Sequence, residues 1–271
     1  KVIIESQAEA DRIVSELKAQ DFAVSEVKKS TRTRRPAAPF ITSTLQQEAA
    51  KVYGFSPKQT MSVAQRLYEG IDIGKEGPTG LITYMRTDSP RLSGEAITWV
   101  RDHIAGTYGK EYLPARPNVY GKSKSAQDAH EAIRPTYREL PPDKVKKHLT
   151  PQQFKLYSLV WNRFVACQMQ NATFDTLTVD ITGGRYTLRA TAQKLRFDGF
   201  LRVYHEAKEP DENGNGNGND RTLPDLQTGQ PVRVKDVTPS QSFTKPPARY
   251  SEAMLVKRME EVPDGQYQKY V

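Results

Sequence analysis

Thr176-Leu177-Thr178-Val179-Asp180-Ile181-Thr182-Gly183-Gly184-Arg185-Tyr186-Thr187-Leu188-Arg189-Ala190-Thr191 alternates side-chain character on both sides of a glycine pair. The two-residue period and the glycines predict a β-hairpin, with strands over 176–182 and 185–191. Just upstream the period is helical. Thr150-Pro151 supplies an N-cap and an N1 proline, and Phe154, Tyr157, Leu159, Val160, Trp161, Phe164 and Val165 give a thick apolar face for a helix reaching about Met169. Further upstream, helical spacing over 42–53 stops at Gly54, and Ser56-Pro57 opens a second helix ending near Gly70. That pair has a helix-turn-helix shape. After a loop over 70–80, Leu81-Ile82-Thr83-Tyr84 reads as a short strand. Ser93 opens a helix to about Tyr108, and Ser125 with Asp128 caps another that Pro135 stops.

The amino end begins differently. Ser6 and Glu9 form a capping-box pattern for a helix over about 6–19, and Phe22, Val24 and Val27 make a short strand. Lys28, Lys29, Arg32, Arg34 and Arg35 then read as a basic linker ending at Pro36. Beyond the hairpin, residues 213–219 alternate asparagine with glycine as a low-complexity loop, and Val232-Arg233-Val234 is a strand. The order of elements predicts an α+β fold. A helical domain over 38–171, with its helix-turn-helix-like pair, is inserted into a discontinuous β-rich domain of 1–37 and 172–256. Residues 257–271 read as the start of a further domain or a tail.

The chain has 271 residues, with 40 Lys and Arg against 32 Asp and Glu. The formal net charge of +8 splits as +2 over 1–37, +6 over 38–170 and zero over 171–271. A local excess of this kind suits a surface facing a polyanion, most simply a nucleic-acid backbone. No apolar run approaches the roughly 20 residues that span a bilayer. The single cysteine, Cys167, excludes a disulfide framework and a cysteine-based zinc site and suggests a reducing, cytoplasmic setting. The amino end lacks both an initiator methionine and a signal-peptide core, which reads as a piece of something longer.

Chemistry concentrates in Gly80-Leu81-Ile82-Thr83-Tyr84-Met85-Arg86-Thr87-Asp88-Ser89. A phenol can attack a phosphodiester, and an arginine two residues later offers a permanently charged fork for the nonbridging oxygens. A Tyr-x-Arg pair alone is common, and a surface tyrosine beside a solvated arginine has the same sequence. His130 alone reads as a core or helix-surface histidine, and Arg134 as either a phosphate contact or an ion pair with Glu131 or Asp128. Gln65 and Glu69, four apart, can simply share one helical face. His-Glu-Ala-Ile-Arg lacks the second histidine of a zincin helix.

The ten-residue string resembles the active-site motif of the type IA DNA topoisomerases, with Met85 similar to the bacterial topoisomerase I branch. The resemblance continues in Pro39-Phe40-Ile41-Thr42-Ser43-Thr44-Leu45-Gln46-Gln47, Ala64-Gln65-Arg66-Leu67-Tyr68-Glu69, Ala129-His130-Glu131-Ala132-Ile133-Arg134-Pro135, Phe164-Val165-Ala166-Cys167-Gln168-Met169 and Phe243 to Glu252. It covers residues 1 to about 261. After Glu261 the chain departs from the string expected of the family, leaving the last ten residues outside the resemblance.

The resemblance implies the moving gate of such an enzyme, a β-rich arch carrying a helical domain. Tyr84 would become linked to the 5′-phosphate of a cut single strand, Arg86 would hold the scissile phosphate, and His130 would be the active-site histidine. Thr83, Gln65, Glu69, Asp88 and, more weakly, Arg134 would support the site or contact DNA, with Asp88 and Ser89 fixing the turn after Arg86. The parent would relax negatively supercoiled DNA, using magnesium held by an Asp-x-Asp-x-Glu cluster that is absent from this sequence. The chain alone would therefore bind no metal and cleave no DNA. Its partners would be single-stranded DNA and the remaining domains of the same polypeptide, at the nucleoid and not at a membrane. A single-stranded DNA-binding module without catalysis, the topoisomerase part of a reverse gyrase, and a sequence-specific helix-turn-helix regulator are the other readings.

Overall fold

The computed structural model describes residues 4–74, 77–120, 130–206, 224–244, 246 and 249–262. In chain order, the first elements are α1 (Gln7–Ala19), β1 (Phe22–Arg34), α2 (Thr42–Tyr53), α3 (Pro57–Glu69), β2 (Ile71–Asp72), β3 (Pro78–Thr79) and α4 (Gly94–Thr107). They are followed by α5 (Pro142–Val145), α6 (Pro151–Cys167), β4 (Ala172–Gly183), β5 (Tyr186–Phe197), β6 (Pro231–Val232) and α7 (Glu252–Glu261). The mixture of helices with an antiparallel sheet is the expected α+β class.

The chain divides into two units. The first comprises the described residues of 1–33, 173–197 and 213–248. Its four-stranded sheet has the order β5-β4-β1-β6, with β4 and β5 paired antiparallel from Thr173↔Phe197 to Gly183↔Tyr186. The hairpin thus runs further from its turn than expected, from Ala172 and to Phe197, while its second strand starts one residue later than expected, at Tyr186. Its turn needs glycine for two reasons. A Cβ on Gly183 would stand 2.7 Å from the Phe22 ring and 2.8 Å from the Asp21 carbonyl, and Gly184 has φ +56°.

The expected basic linker is instead the second half of β1, which continues to Arg34. Thr31 and Thr33 suit a strand, and a charged, solvent-facing edge is tolerated because the backbone is what pairs. Lys28 is balanced by Glu26 and Lys29 by Asp225, at 2.9 and 3.7 Å.

The second unit comprises the described residues of 34–172, 198–212 and 249–271. Segments 198–206 and 249–256, expected in the β-rich domain, belong here. Residues 257–261 complete α7, which packs on α2. Helix α6 is the centre of the core, with Leu156, Val160, Phe164 and Val165 fully buried. Helices α2, α3 and α4 lean on it through Leu45, Leu67 and Ile104, also fully buried. Ser56, Ser93 and Thr150 cap α3, α4 and α6 through their side-chain oxygens, and Pro57 and Pro151 stand at the first helical turns as expected.

Two expected elements differ. Leu81 to Tyr84 makes a single bridge, Ile82↔Pro135, instead of a regular strand. The helix expected to end at Pro135 is absent over 130–135, which is extended and bridged at Phe40↔Ile133; its capping residues Ser125 and Asp128 lie outside the described residues. Pro135 disfavours helical backbone at Arg134, and the Ile133 amide instead donates to the Phe40 carbonyl at 2.8 Å. The loop over 70–80 contains the two-residue ladder of β2 and β3.

A buried charge ties these pieces together. Arg163 of α6, with 9% side-chain exposure, donates through Nε to the Ala38 carbonyl at 2.6 Å and through Nη1 to Glu206 at 3.0 Å. Its guanidinium lies over Phe40 at 4.9 Å and over Tyr204 at 5.2 Å. Glu206 also takes Arg34 at 3.1 Å. Every strong partner of the Arg163 charge is therefore supplied from a different stretch of chain.

His103 on α4 packs edge-on to Trp161, with centroids 5.7 Å apart, and burial followed by the Arg138 charge lowers its basicity. The unfolded chain then takes up a proton more readily than the folded one, so this contribution is intact above about pH 6.5 and lost as pH falls below it. Urea unfolding midpoints will drop between pH 7.5 and 5.5, and His103→Phe will shrink that drop. An unchanged pH dependence in the variant would remove His103 as its source.

Candidate active site

Residues Tyr84 to Ser89 alternate in exposure. Tyr84, Arg86 and Asp88 face solvent, whereas Met85, Thr87 and Ser89 are buried. An extended backbone sends successive side chains to opposite sides, so the phenol, the guanidinium and a carboxylate share one face. The buried side is held by α2. Thr42 donates its amide to the Thr87 carbonyl at 2.9 Å, and its hydroxyl meets the Met85 carbonyl at 2.8 Å and the Thr87 amide at 2.9 Å. The turn after Arg86 is fixed by Thr87 and Ser89, the Ser89 amide donating to Thr87 Oγ1 at 3.1 Å. Asp88 is free of that task and faces outward.

The other flank is laced to 130–136. Thr83 donates its amide to the Arg134 carbonyl at 2.9 Å and its hydroxyl to the Ala132 carbonyl at 2.7 Å, and accepts from the Arg134 amide at 3.0 Å. The Thr136 amide donates to the Leu81 carbonyl at 3.1 Å. This lacing brings His130 beside Tyr84, ring centroids 6.2 Å apart. On its other side Tyr84 meets Tyr68 of α3 edge-on at 5.3 Å. Tyr84 remains 41% exposed.

An open cleft of about 490 Å³ adjoins these groups, lined by Ile41, Thr42, Ser43, Arg86, Thr87, Asp88, His130 and Glu260. It receives the amino-terminal end of α2, where the helix presents partial positive charge. The Ser43 hydroxyl oxygen is buried there without a hydrogen-bond partner. A guanidinium, a histidine and a helix amino terminus converging on open space make a seat suited to an anion.

The structure thus brings Tyr84, Arg86, Asp88 and His130 together. Thr83 works as a brace. Arg134 is engaged by Glu131, its Nε donating to the carboxylate at 2.7 Å, and lines a separate cleft of about 620 Å³ with Trp99, Tyr137 and Arg138. Gln65 and Glu69 bond to each other along α3 at 2.5 Å and do not line the Arg86 cleft. Tyr68, Ser43 and Glu260 were missed as site residues. Tyr68 and Ser43 stand within quoted motifs, and their proximity to Tyr84 and Arg86 is a tertiary fact; Glu260 arrives on the distant α7. Among the described residues no group of three or more His, Cys, Asp or Glu side chains converges on one point, and no step below is routed through a metal. Among the same residues no helix is long and apolar enough to cross a membrane.

The profile of the family described as DNA topoisomerase matches residues 1–265. The chain belongs to the bacterial type IA DNA topoisomerases. DNA topoisomerase 1 of Rickettsia felis is 45% identical over 273 residues, covering 100% of this chain and 34% of that protein. DNA topoisomerase 1 of Xylella fastidiosa is 46% identical over 268 residues, covering 98% and 33%. The full-length topoisomerase I structure from Thermotoga maritima superposes with a TM-score of 0.75 at 35% identity, over 96% of this chain and 40% of that one. The chain therefore spans about a third of the length of the curated relatives it matches. The match also runs past Glu261, so the final residues are less foreign to this topoisomerase family than their sequence suggested.

Gly80 is a further constraint on the site. A Cβ there would stand 2.6 Å from the Tyr68 carbonyl oxygen, pushing the Leu81 segment off α3, where the Leu81 amide donates to the Leu67 carbonyl at 2.7 Å. Gly80→Ala will cost about 1–3 kcal/mol by urea unfolding. Gly106→Ala, where a Cβ meets nothing within 4 Å, is the control and will be neutral or stabilising.

Proposed function

We propose that this chain carries the tyrosine nucleophile and part of the DNA gate of a type IA topoisomerase that relaxes negatively supercoiled DNA. The observation that carries the reading is the exposed Tyr84/Arg86 face beside His130, in a chain of this family. The substrate is single-stranded DNA at the cleavage point. The Tyr84 oxygen bonds to phosphorus as the bond from phosphorus to the 3′-oxygen breaks; the phenol gives up one proton and the departing 3′-hydroxyl takes one up. Arg86 holds the nonbridging oxygens with a fork that a lysine lacks. Because the phosphotyrosine link conserves the phosphodiester, resealing reverses the same exchange and needs no ATP. His130, flanking both Tyr84 and the cleft, orients the phenol and contacts the phosphate.

Magnesium belongs in this proposal to residues other than those of this chain, as do the groups that manage the two protons. The phenol of an ordinary tyrosine is protonated at neutral pH, and without a proton acceptor and a leaving-group acid the attack is slow. The 271-residue chain alone is therefore a weak, salt-sensitive binder of single strands that forms no covalent adduct. Its affinity will fall with salt at a log–log slope of about −0.7 per phosphate contacted.

The test is denaturing electrophoresis with end-labelled single strands. The chain alone will give no adduct, with or without magnesium. A longer protein containing it and the remaining domains will trap DNA, and Tyr84→Phe in that protein will abolish the trapping. An adduct that survives Tyr84→Phe would assign the nucleophile elsewhere.

A further inference from the structure

Glu260 shares the cleft with Arg86 and His130 and was not among the expected site residues. It stands near the end of α7, a helix that packs along α2 with Ala253 buried in the interface. Gln47 of α2 donates from Nε2 to Glu260 Oε2 at 3.4 Å, which holds the carboxylate toward the helix whose first turn builds the cleft. Glu260 is exposed and borders the open space of the cleft.

A cleft lined by a guanidinium, a histidine and a helix amino terminus should attract one anion and resist two. Asp88 also lines it, but Asp88 is two residues from Arg86 on the same extended segment and moves with it. Glu260 comes from a separate helix and can leave while Arg86 stays. We propose that Glu260 is a displaceable carboxylate on the wall of the phosphate seat, one that opposes the DNA backbone electrostatically and swings away when a strand enters. This rests on the reading of the cleft as a seat for DNA phosphate. It makes α7 the element that senses strand occupancy: an incoming phosphodiester repels Glu260, the Gln47 contact opens, and the α2–α7 packing loosens next to the cleft. When the strand leaves, the carboxylate returns and opposes rebinding.

The two charges lie across open, solvated space, so the repulsion is moderate and screened by salt. Fluorescence polarisation with a labelled oligothymidylate of about 20 nucleotides, at low and high salt, reads it in the 271-residue chain. Glu260→Gln keeps the shape and removes the charge; it will tighten binding by about 3- to 10-fold near 50 mM salt, with the gain vanishing near 1 M. Glu260→Ala will act in the same direction, and unchanged thermal melting of both will show that the fold is retained. Glu261→Gln is the control. It makes the same change in net charge on the same helix, but Glu261 pairs with Arg258 at 3.1 Å and does not line the cleft, so it will shift affinity less than about 2-fold. Unchanged or weaker binding by the Glu260 variants, or an equal gain from Glu261→Gln, would overturn the proposal while leaving the DNA reading in place. If neither wild type nor any variant bound single strands, the DNA reading would fail, and Glu260 as a competitor of phosphate would fall with it.

Discussion

The site depends above all on one residue's hydrogen bonds. Thr83 engages the backbone of 132–134 with its amide and with its hydroxyl as both donor and acceptor. These contacts fix the extended backbone one residue before Tyr84 and thereby decide which way Tyr84, Arg86 and Asp88 point. They also explain why 130–135 is not helical. A helix would consume its amides and carbonyls internally, and the Ala132 and Arg134 groups that hold Thr83 would be unavailable. Tyr84 and His130 are thus positioned by the same set of bonds, and a change that frees one frees the other.

Behind that lacing, Phe40 passes the constraint to the core. Its backbone accepts from Ile133, and its ring lies under the Arg163 guanidinium, itself held by the Ala38 carbonyl and Glu206. A buried charge is costly unless its donors are satisfied, so Arg163 penalises any arrangement in which these segments separate. The exposed half of the site can therefore be open to solvent without being loose. Its backbone is anchored through Phe40 to a buried cation two steps away.

Local signals in the sequence were sufficient wherever the structure is locally determined. The Ser-Pro and Thr-Pro starts of α3 and α6, the Gly54 stop and the Gly183-Gly184 hairpin fall as read, because capping and turn geometry involve only neighbouring residues. The misreadings share a different origin. The charge run from Lys28 to Arg35 looked like a linker, yet its backbone is committed to the sheet, and side-chain charge does not reveal whether a neighbouring strand is present. The segment before Pro135 looked helical because its partners, Phe40 and Ile82, are distant in sequence. Glu260 could not be placed at all from sequence, since nothing near it distinguishes it from Glu261. The alternation of Tyr84, Arg86 and Asp88 with Met85, Thr87 and Ser89 was available as a signal, and it puts the phenol and the guanidinium on one face without any tertiary information.

Burial and hydrogen bonding set other phenols apart from Tyr84. Tyr157 and Tyr120 donate to the carbonyls of Leu140 and Cys167 at 2.7 and 2.6 Å, and burial pushes both phenols up, away from ionisation. Tyr112 spends its hydroxyl on Asp198 at 2.9 Å and is likewise held in the protonated form by that bond. Tyr84 is different in kind: its ring is braced by Tyr68 and His130, while its hydroxyl makes no hydrogen bond among the described residues. A phenol already donating to a protein carbonyl would have to break that bond before attacking phosphorus. Tyr68 is equally exposed at 41%, but it sits on α3, a helix whose neighbouring residues carry no guanidinium into the cleft. What singles out Tyr84 is the combination of ring contacts that fix direction, a hydroxyl with no hydrogen bond among the described residues, and a two-residue step along extended backbone that puts Arg86 on the same face.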